Sequence, residues 1–117
     1  MQIEERTLGD VTVVVISGDI TLNQGGDVTL KDKVGSLIQQ GRRKLVIDLG
    51  HVSYVDSAGL GELVRAYATT KNGGGSLKLV GVTRRVKDLL TITKLVTVFE
   101  TYEDAATAVA SFSSAVA

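Results

Sequence analysis

The sequence contains no cysteine, no proline and no tryptophan, and it contains one histidine. Without cysteine, the chain has no disulfide, no thiolate ligand for a metal and no thiol nucleophile. One histidine without cysteine is a weak basis for a metal site, so we interpret His51 as a loop residue. We expect no metal site and no cofactor in this protein.

Long apolar runs and an excess of one charge are also missing. No apolar run approaches the roughly 18 to 20 residues of a membrane span, and Met1–Arg6 lacks the positive region that opens a signal peptide. The 13 basic and 13 acidic residues give a formal net charge of zero. Nucleic-acid-binding proteins usually carry a basic surplus, so we interpret the clusters Arg42–Lys44 and Arg84–Arg85 as solvated. We therefore expect a cytoplasmic protein that binds neither nucleic acid nor membrane.

What remains is an ordinary globular composition, with 44% apolar and 22% charged residues among 117. That length is close to the commonest size of a compact domain and is enough to bury a hydrophobic core. No linker, repeat or low-complexity tract divides the sequence. We expect residues 1–117 to form a single domain.

Runs of β-branched and apolar residues predict five strands, the first two joined by a turn at Gly9-Asp10. The third run is apolar without alternation, which is typical of a strand buried on both faces of a parallel sheet. The predicted strands are Gln2–Thr7, Val11–Ser17, Leu45–Leu49, Leu77–Val80 and Thr97–Phe99.

Apolar residues at helical spacing predict four helices. The start of the first, near Asn23–Asp27, is uncertain because Gly25 and Gly26 weaken a helix there. The apolar stripes are, in chain order, Leu30, Val34, Leu37 and Ile38; Leu60, Leu63, Val64, Tyr67 and Ala68; Val86, Leu89 and Leu90; and Ala105, Val109 and Phe112.

Glycine and short polar residues mark the ends of these helices. Gly41 is expected to close the first helix in a left-handed conformation, and Gly73–Gly75 to end the second. Thr83 can cap the third helix. Thr101 with Asp104 resembles a capping box before the fourth.

The predicted element order is β-β-α-β-α-β-α-β-α. Each βα repeat requires a right-handed crossover to a parallel neighbour. The sequence therefore predicts an α/β fold: a mixed, mostly parallel sheet with an N-terminal antiparallel hairpin and about four helices packed against it. The uncovered edge formed by the hairpin could permit a homodimer.

The segment that carries chemistry is His51–Glu62, HVSYVDSAGLGE, which joins a buried strand to an amphipathic helix. We expect Asp56 or Ser57 at the helix N-cap, where free N–H groups and the positive end of the dipole favour an anion. Gly59 and Gly61 lack side chains, so a phosphate or a partner's backbone could approach closely. Aspartate and serine are also common helix caps, and taken alone these residues favour that structural interpretation.

The same segment resembles the STAS family, specifically the bacterial anti-sigma factor antagonists. The family pattern is an apolar strand ending in Asp-Leu, then V-x-[FY] and an apolar residue, then D-S-[SAT]-G-[LI]-G. The element order is also similar to the family's fold, and the resemblance extends over essentially the whole chain. The matching residues are Asp48-Leu49, Val52-Ser53-Tyr54-Val55 and Asp56-Ser57-Ala58-Gly59-Leu60-Gly61.

The resemblance implies a non-enzymatic switch that exchanges partners. In this group, the unphosphorylated antagonist binds an anti-sigma factor that is also a serine kinase, and the sigma factor is released. The kinase uses ATP to phosphorylate the serine that matches Ser57, the complex dissociates, and a separate phosphatase restores the antagonist. Asp56 matches the acidic residue beside that serine. A phosphate adds roughly two negative charges, and an unpaired charge buried at an interface costs on the order of two to five kcal/mol.

The helix face opposite the predicted apolar stripe begins beside Ser57, and we interpret part of it as a docking surface for the partner. An ordinary solvated face is the alternative. The face carries Gly61, Glu62, Arg65, Thr69 and Thr70, and the predicted partner-binding residues are Asp56, Ser57, Gly59, Gly61, Glu62 and Arg65.

Two other classes of function compete with the switch. One is a structural STAS module, a scaffold or transporter-complex subunit in which Ser57 only caps a helix. The other is an enzyme. A hydrolase would need G-x-S-x-G, but Val55 lies two residues before Ser57, and a receiver domain would need a clear acidic cluster around Asp48. We therefore expect a substrate of a kinase rather than a catalyst.

Overall fold

Five strands form one sheet in the computed structural model, which describes residues 2–21 and 30–114 of the chain. The strands lie side by side in chain order, the first pair antiparallel and the other pairs parallel. They are β1 Gln2–Leu8, β2 Val11–Ser17, β3 Lys44–His51, β4 Ser76–Val80 and β5 Glu100–Tyr102. This confirms the predicted mixed sheet with a hairpin at one edge. His51 ends β3 and is exposed rather than lying in the loop itself.

Four helices and one 3-10 turn accompany the sheet in the described residues. The predicted helix start near Asn23–Asp27, with Gly25 and Gly26, lies outside them. No helix in the described part of the chain is both long and apolar enough to cross a membrane. The helices are α1 Leu30–Gln39, α2 Ser57–Asn72, α3 Arg84–Ile92 and α4 Ala105–Ser114, and the 3-10 turn is Leu95–Thr97.

The predicted ends of three helices are confirmed. Gly41 follows α1 with a φ of +89°, a left-handed conformation that glycine adopts without strain. Gly73 caps the C-terminal end of α2. The Thr83 side chain accepts a hydrogen bond from the Val86 N–H and so caps α3.

The core has two parts because side chains alternate between the two faces of the sheet. On one face, residues such as Leu45 and Ile47 of β3 pack against α1, α2 and α3. On the other, Val46 of the same strand packs in a smaller cluster with Ala108 and Phe112 of α4. Helices therefore cover both faces, which explains why β3 is apolar without alternation.

The strand predicted at Thr97–Phe99 is wrong. Lys94 adopts a left-handed conformation with a φ of +64°, and the chain then turns as a 3-10 helix before reaching the sheet. Phe99 is buried and packs edge-on against Tyr67, with ring centroids 5.3 Å apart. The strand forms only after this anchor, where Glu100–Tyr102 pairs with β4.

The predicted capping box at Thr101 is also wrong, because Thr101 lies within β5. Asp104 itself caps α4, and its Oδ1 accepts a hydrogen bond from the Thr107 N–H at 2.7 Å. A short carboxylate reaches the N–H three residues ahead without help from a threonine. The predicted α4 stripe is correct at Phe112, while Ala108 is buried more deeply than Val109.

Two residues of α2 lie on faces other than those predicted. Ala68 is exposed and Ala66 is buried in its place. Thr70, expected on the solvated face, is fully buried, and its hydroxyl donates to the Ala66 carbonyl oxygen at 2.8 Å. Because that bond satisfies the hydroxyl within the helix, a threonine fits at an apolar interface.

Candidate functional site

The connection between β3 and α2 is anchored by apolar side chains. Val52 and Val55 are buried in the larger core cluster, whereas Ser53 and Tyr54 between them point outward. The Ser53 hydroxyl donates to Asp19 Oδ1 at 3.0 Å, and Tyr54 is 46% exposed. Buried and exposed residues thus alternate along this loop. The two valines anchor it to the core, and the polar and aromatic side chains between them stay at the surface.

Backbone hydrogen bonds attach this loop to the segment that follows β2. The Gly18 N–H donates to the His51 carbonyl oxygen at 3.1 Å, and the Ile20 N–H donates to the Tyr54 carbonyl oxygen at 3.0 Å. The Asp56 N–H returns a bond to the Ile20 carbonyl oxygen at 3.3 Å. The start of α2 is therefore held from both sides before the helix begins.

Asp56, and not Ser57, caps α2. Its Oδ1 accepts a hydrogen bond from the Gly59 N–H at 2.7 Å, and its backbone is extended. Ser57 is the first residue of the helix and is exposed. Within the described part of the chain, its hydroxyl makes no hydrogen bond. The structure thus assigns the capping role to Asp56 and leaves the Ser57 hydroxyl accessible.

Gly59 has a packing role that any side chain would disrupt. It is buried, and a Cβ atom there would lie 1.8 Å from the Ile20 carbonyl oxygen. The absence of a side chain lets the first turn of α2 pack directly on the backbone after β2. The structure shows Gly59 in contact with Ile20, and contact between Gly59 and a partner stays a prediction.

The remaining predicted site residues form a stripe on α2. Ser57, Gly61 and Arg65 are each four residues apart, so they lie on one side of the helix. Glu62 adjoins this stripe through an ion pair with Arg65 at 3.2 Å. The second oxygen of Glu62, Oε1, is buried and has no hydrogen-bond partner among the described residues. The structure thus brings Ser57, Gly61, Glu62 and Arg65 together at one surface.

A groove beside Ser57 was missed by sequence reasoning. It has a volume of about 360 Å³ and lies between the loop before α2 and one side of α3. Its α3 side includes Arg85, assigned above to a solvated cluster, and Ile92, which is 78% exposed. Ile92 lies outside the predicted apolar stripe of α3. An apolar residue at such a position was the feature of the sequence that could have indicated this groove. The groove is lined by Tyr54, Val55, Asp56, Ser57, Arg85, Val86, Asp88, Leu89 and Ile92.

The charged groups around Ser57 are mixed in sign and do not form a metal site. Asp56 and Asp88 line the groove together with Arg85. Over residues 2–21 and 30–114, no group of three or more histidine or carboxylate side chains is arranged to hold a metal ion. The arrangement offers an accessible hydroxyl at a helix N-terminus, a few exposed apolar side chains and one guanidinium group.

Comparison with known proteins places this geometry in a family. The model of the STAS domain matches residues 2–108. The anti-sigma-B factor antagonist of Bacillus subtilis strain 168 is 38% identical over 92 residues, which cover 74% of this chain and 84% of that protein.

Two solved structures share the fold. An anti-sigma factor antagonist from Mycobacterium paratuberculosis has a TM-score of 0.80 at 24% identity, covering 94% of this chain and 92% of that one. The Bacillus cell fate determinant SpoIIAA in its phosphorylated form has a TM-score of 0.66 at 13% identity, covering 88% and 93% of the two chains. At these identities, both structures establish the likeness of fold alone.

Proposed function

Because this chain belongs to the STAS domain family, we propose that it is an anti-sigma factor antagonist controlled by phosphorylation of Ser57. The unphosphorylated form binds an anti-sigma factor that is also a serine kinase, and phosphorylation ends that binding. A separate phosphatase reverses the modification. The protein acts in the cytoplasm as a single STAS domain and as a substrate, not as a catalyst.

The observation that carries the proposal is that Asp56 and Ser57 have different roles at the start of α2. Asp56 caps α2 through the Gly59 N–H, so the helix does not need the Ser57 hydroxyl. Ser57 is exposed at the first position of the helix, where an incoming kinase can reach it. This arrangement argues against the reading in which Ser57 serves only as a helix cap.

The chemistry at Ser57 is phosphoryl transfer from the kinase's ATP. A bond forms between the serine oxygen and the γ-phosphorus, and the bond from that phosphorus to the bridging oxygen breaks. ADP leaves and the hydroxyl proton is released. The helix N-terminus stabilises the new phosphate, so the domain stays folded while its surface gains roughly two negative charges.

The surface that would meet the kinase surrounds Ser57. Gly61 and Arg65 continue its stripe along α2, and Tyr54 and Ile92 expose apolar area across the neighbouring groove. A partner that covers these groups also covers Ser57, so a phosphate there would be buried at the interface without a counter-charge from the partner. An unpaired charge of this kind costs on the order of two to five kcal/mol of binding free energy.

The relatives support the same reading. The Bacillus subtilis protein that is 38% identical is an anti-sigma-B factor antagonist. SpoIIAA, which has this fold, has a phosphorylated form. Both features come to this chain as part of the proposal.

The test uses a purified serine-kinase anti-sigma factor encoded in the same genome. Calorimetry would compare its binding of the wild type, Ser57→Ala and Ser57→Asp, with Ser36→Asp on exposed α1 surface as a charge-matched control. We expect Ser57→Asp alone to bind at least about a hundredfold more weakly. Incubation with ATP should phosphorylate the wild type at Ser57, read by mass spectrometry, and should leave Ser57→Ala unmodified.

Equal binding of all four proteins would reject the switch and favour a constitutive STAS scaffold. The docking surface is tested separately with Arg65→Glu, which reverses an exposed charge on the stripe. We expect this variant to bind the kinase more weakly than Arg6→Glu, a matched change on exposed β1. Unchanged affinity for Arg65→Glu would remove Arg65 from the proposed surface.

A further inference from the structure

Arg85 is the one cationic residue among the described residues that line the groove beside Ser57. It belongs to the first turn of α3, while Ser57 opens α2 on the other side of the groove. Neighbouring cations are placed differently: Arg84 does not line the groove, and Lys87 lines a separate cavity between α3 and β5. The groove therefore pairs one acceptor serine with one guanidinium group.

Arg85 is exposed and is not engaged elsewhere in the described structure. The ion pairs found among residues 2–21 and 30–114 involve Lys33, Lys44, Arg65 and Lys78, and Arg85 takes part in none of them. Asp88 lies one turn further along α3 and also lines the groove, but the two side chains form no ion pair. No existing contact has to break for Arg85 to turn toward Ser57.

Phosphate and guanidinium groups are well matched. The planar fork of arginine donates two parallel hydrogen bonds to phosphate oxygens, and such charge-assisted bonds are roughly twice as strong as neutral ones. The unmodified serine hydroxyl offers no comparable partner. Asp56 and Asp88 repel the same phosphate from within the groove, which leaves Arg85 as its favourable side-chain contact there.

We propose that Arg85 is an internal receptor for the phosphate on Ser57, and that their ion pair joins α2 to α3 across the groove. The inference rests on the proposed phosphorylation of Ser57 and adds a second way in which it acts. The phosphate introduces charge and also draws the two sides of the groove together. Apolar groups at its surface, Tyr54 and Ile92, then become less available to a partner.

The experiment installs phosphoserine at position 57 during synthesis of the full chain, so no kinase is needed. Phosphorus NMR would follow the second ionisation of the phosphate, whose ordinary pKa is about 6, in the wild type, Arg85→Met and Arg84→Met. We expect Arg85→Met to raise this pKa by roughly half a unit or more, because the dianion loses its counter-charge. Arg84→Met removes the same charge one residue away and should titrate like the wild type.

Two results would overturn the inference: the same phosphate pKa in the wild type and Arg85→Met, or an equal rise in both arginine variants. Thermal unfolding gives a second measurement. Before phosphorylation, Arg85→Met should melt like the wild type because Arg85 is exposed and unpaired. After phosphorylation it should be less stable than the phosphorylated wild type, and equal melting would also count against the ion pair. A kinase that fails to modify Ser57 would overturn the proposed function and leave these titrations unaffected.

Discussion

The glycines of the DSAGLG motif have different physical roles, although the sequence makes them look equivalent. Gly59 faces the backbone after β2, with no space for a Cβ atom beside the Ile20 carbonyl oxygen. At Gly61, the nearest atom to a Cβ would be the Arg65 Nη1, 3.9 Å away, which is an ordinary contact. One glycine is required by the fold, and the other is available for recognition.

Alanine at each position should separate these roles. Gly59→Ala forces the helix and the Ile20 backbone apart, and we expect a loss of about 1 to 3 kcal/mol in the free energy of unfolding. Gly61→Ala has room and replaces a poor helix former, so a gain of up to about 1 kcal/mol is expected. Urea unfolding of both variants checks this. Equal effects at the two sites would contradict the assignment.

Asp56 and Ser57 offer a second pair of matched substitutions. Asp56→Ala removes the acceptor for the Gly59 N–H and should cost about 1 kcal/mol of stability, whereas Asp56→Asn keeps an acceptor and should cost much less. Ser57→Ala should leave stability nearly unchanged. Chemical denaturation of the three variants measures this. A larger loss of stability for Ser57→Ala than for Asp56→Ala would mean that Ser57, and not Asp56, caps the helix.

Which of these two residues caps the helix could not be predicted from the sequence. Aspartate and serine are both good N-caps, and their order in the motif permits a helix that starts one residue earlier or later. The choice is made by the bonds that hold Asp56 extended against Ile20, a contact between distant parts of the chain. The resemblance to a family implied phosphorylation of Ser57, which stays a prediction; the exposure of Ser57 is a finding of the structure.

At the scale of elements, prediction succeeded where the pattern of apolar residues in a segment matches the contacts that the segment makes in the fold. β2 was predicted from Val11 to Ser17 and has those bounds. The last strand was misplaced because Thr97 and Val98 have high β propensity, while tertiary packing places them around a turn. The groove was also beyond prediction, since its sides come from a loop and a helix that are distant in sequence.

The N-terminus of α4 provides a prediction on pH dependence. Hydrogen bonding from the Thr107 backbone N–H lowers the pKa of Asp104 below its ordinary value. A carboxyl group whose pKa is lower in the folded state adds stability above its unfolded pKa, about 3.9, and loses it as the pH falls through the folded pKa. Asp104→Ala should therefore destabilise the protein at neutral pH, and the difference from the wild type should shrink in acid.

Denaturant midpoints measured between pH 7 and pH 2 check this dependence. Asp88→Ala serves as the control because Asp88 is also an exposed aspartate but lies within α3. At neutral pH it should cost less stability than Asp104→Ala, because Asp88 lies inside its helix and accepts no N-cap hydrogen bond among the described residues. A constant difference between Asp104→Ala and the wild type across this range would contradict the capping role.

At the scale of the whole molecule, strand order explains the position of three helices. The strands advance in one direction from β2 to β5, so right-handed crossovers place α1, α2 and α3 on the same face of the sheet. No strand follows α4 in the described chain, so crossover handedness does not determine its face. Packing determines it instead, because the opposite face exposes apolar β2 side chains that α4 covers.

Phe112 is the main residue through which α4 packs on this face of the sheet. It is 7% exposed and packs in the cluster formed by β2, β3 and β4. The Lys78 ammonium lies 4.2 Å from the centre of its ring and donates to Ser111 Oγ at 2.6 Å, so α4 also shields a nearly buried cation. Loss of the ring would remove apolar contact and uncover this lysine together.

Phe112→Ala should therefore lower the free energy of unfolding by about 3 to 5 kcal/mol, measured by urea denaturation. Val109→Ala, a smaller truncation of a half-buried residue on the same helix, should cost clearly less. Because an uncovered apolar sheet face favours association, light scattering should also detect more aggregation of Phe112→Ala. A loss below about 1 kcal/mol would mean that the sheet is stable without α4.

Ser57 lies at the start of α2, which packs on the other face. Binding of the proposed kinase partner should therefore survive in whatever fraction of Phe112→Ala remains folded, which would separate the stability of this fold from the proposed switch.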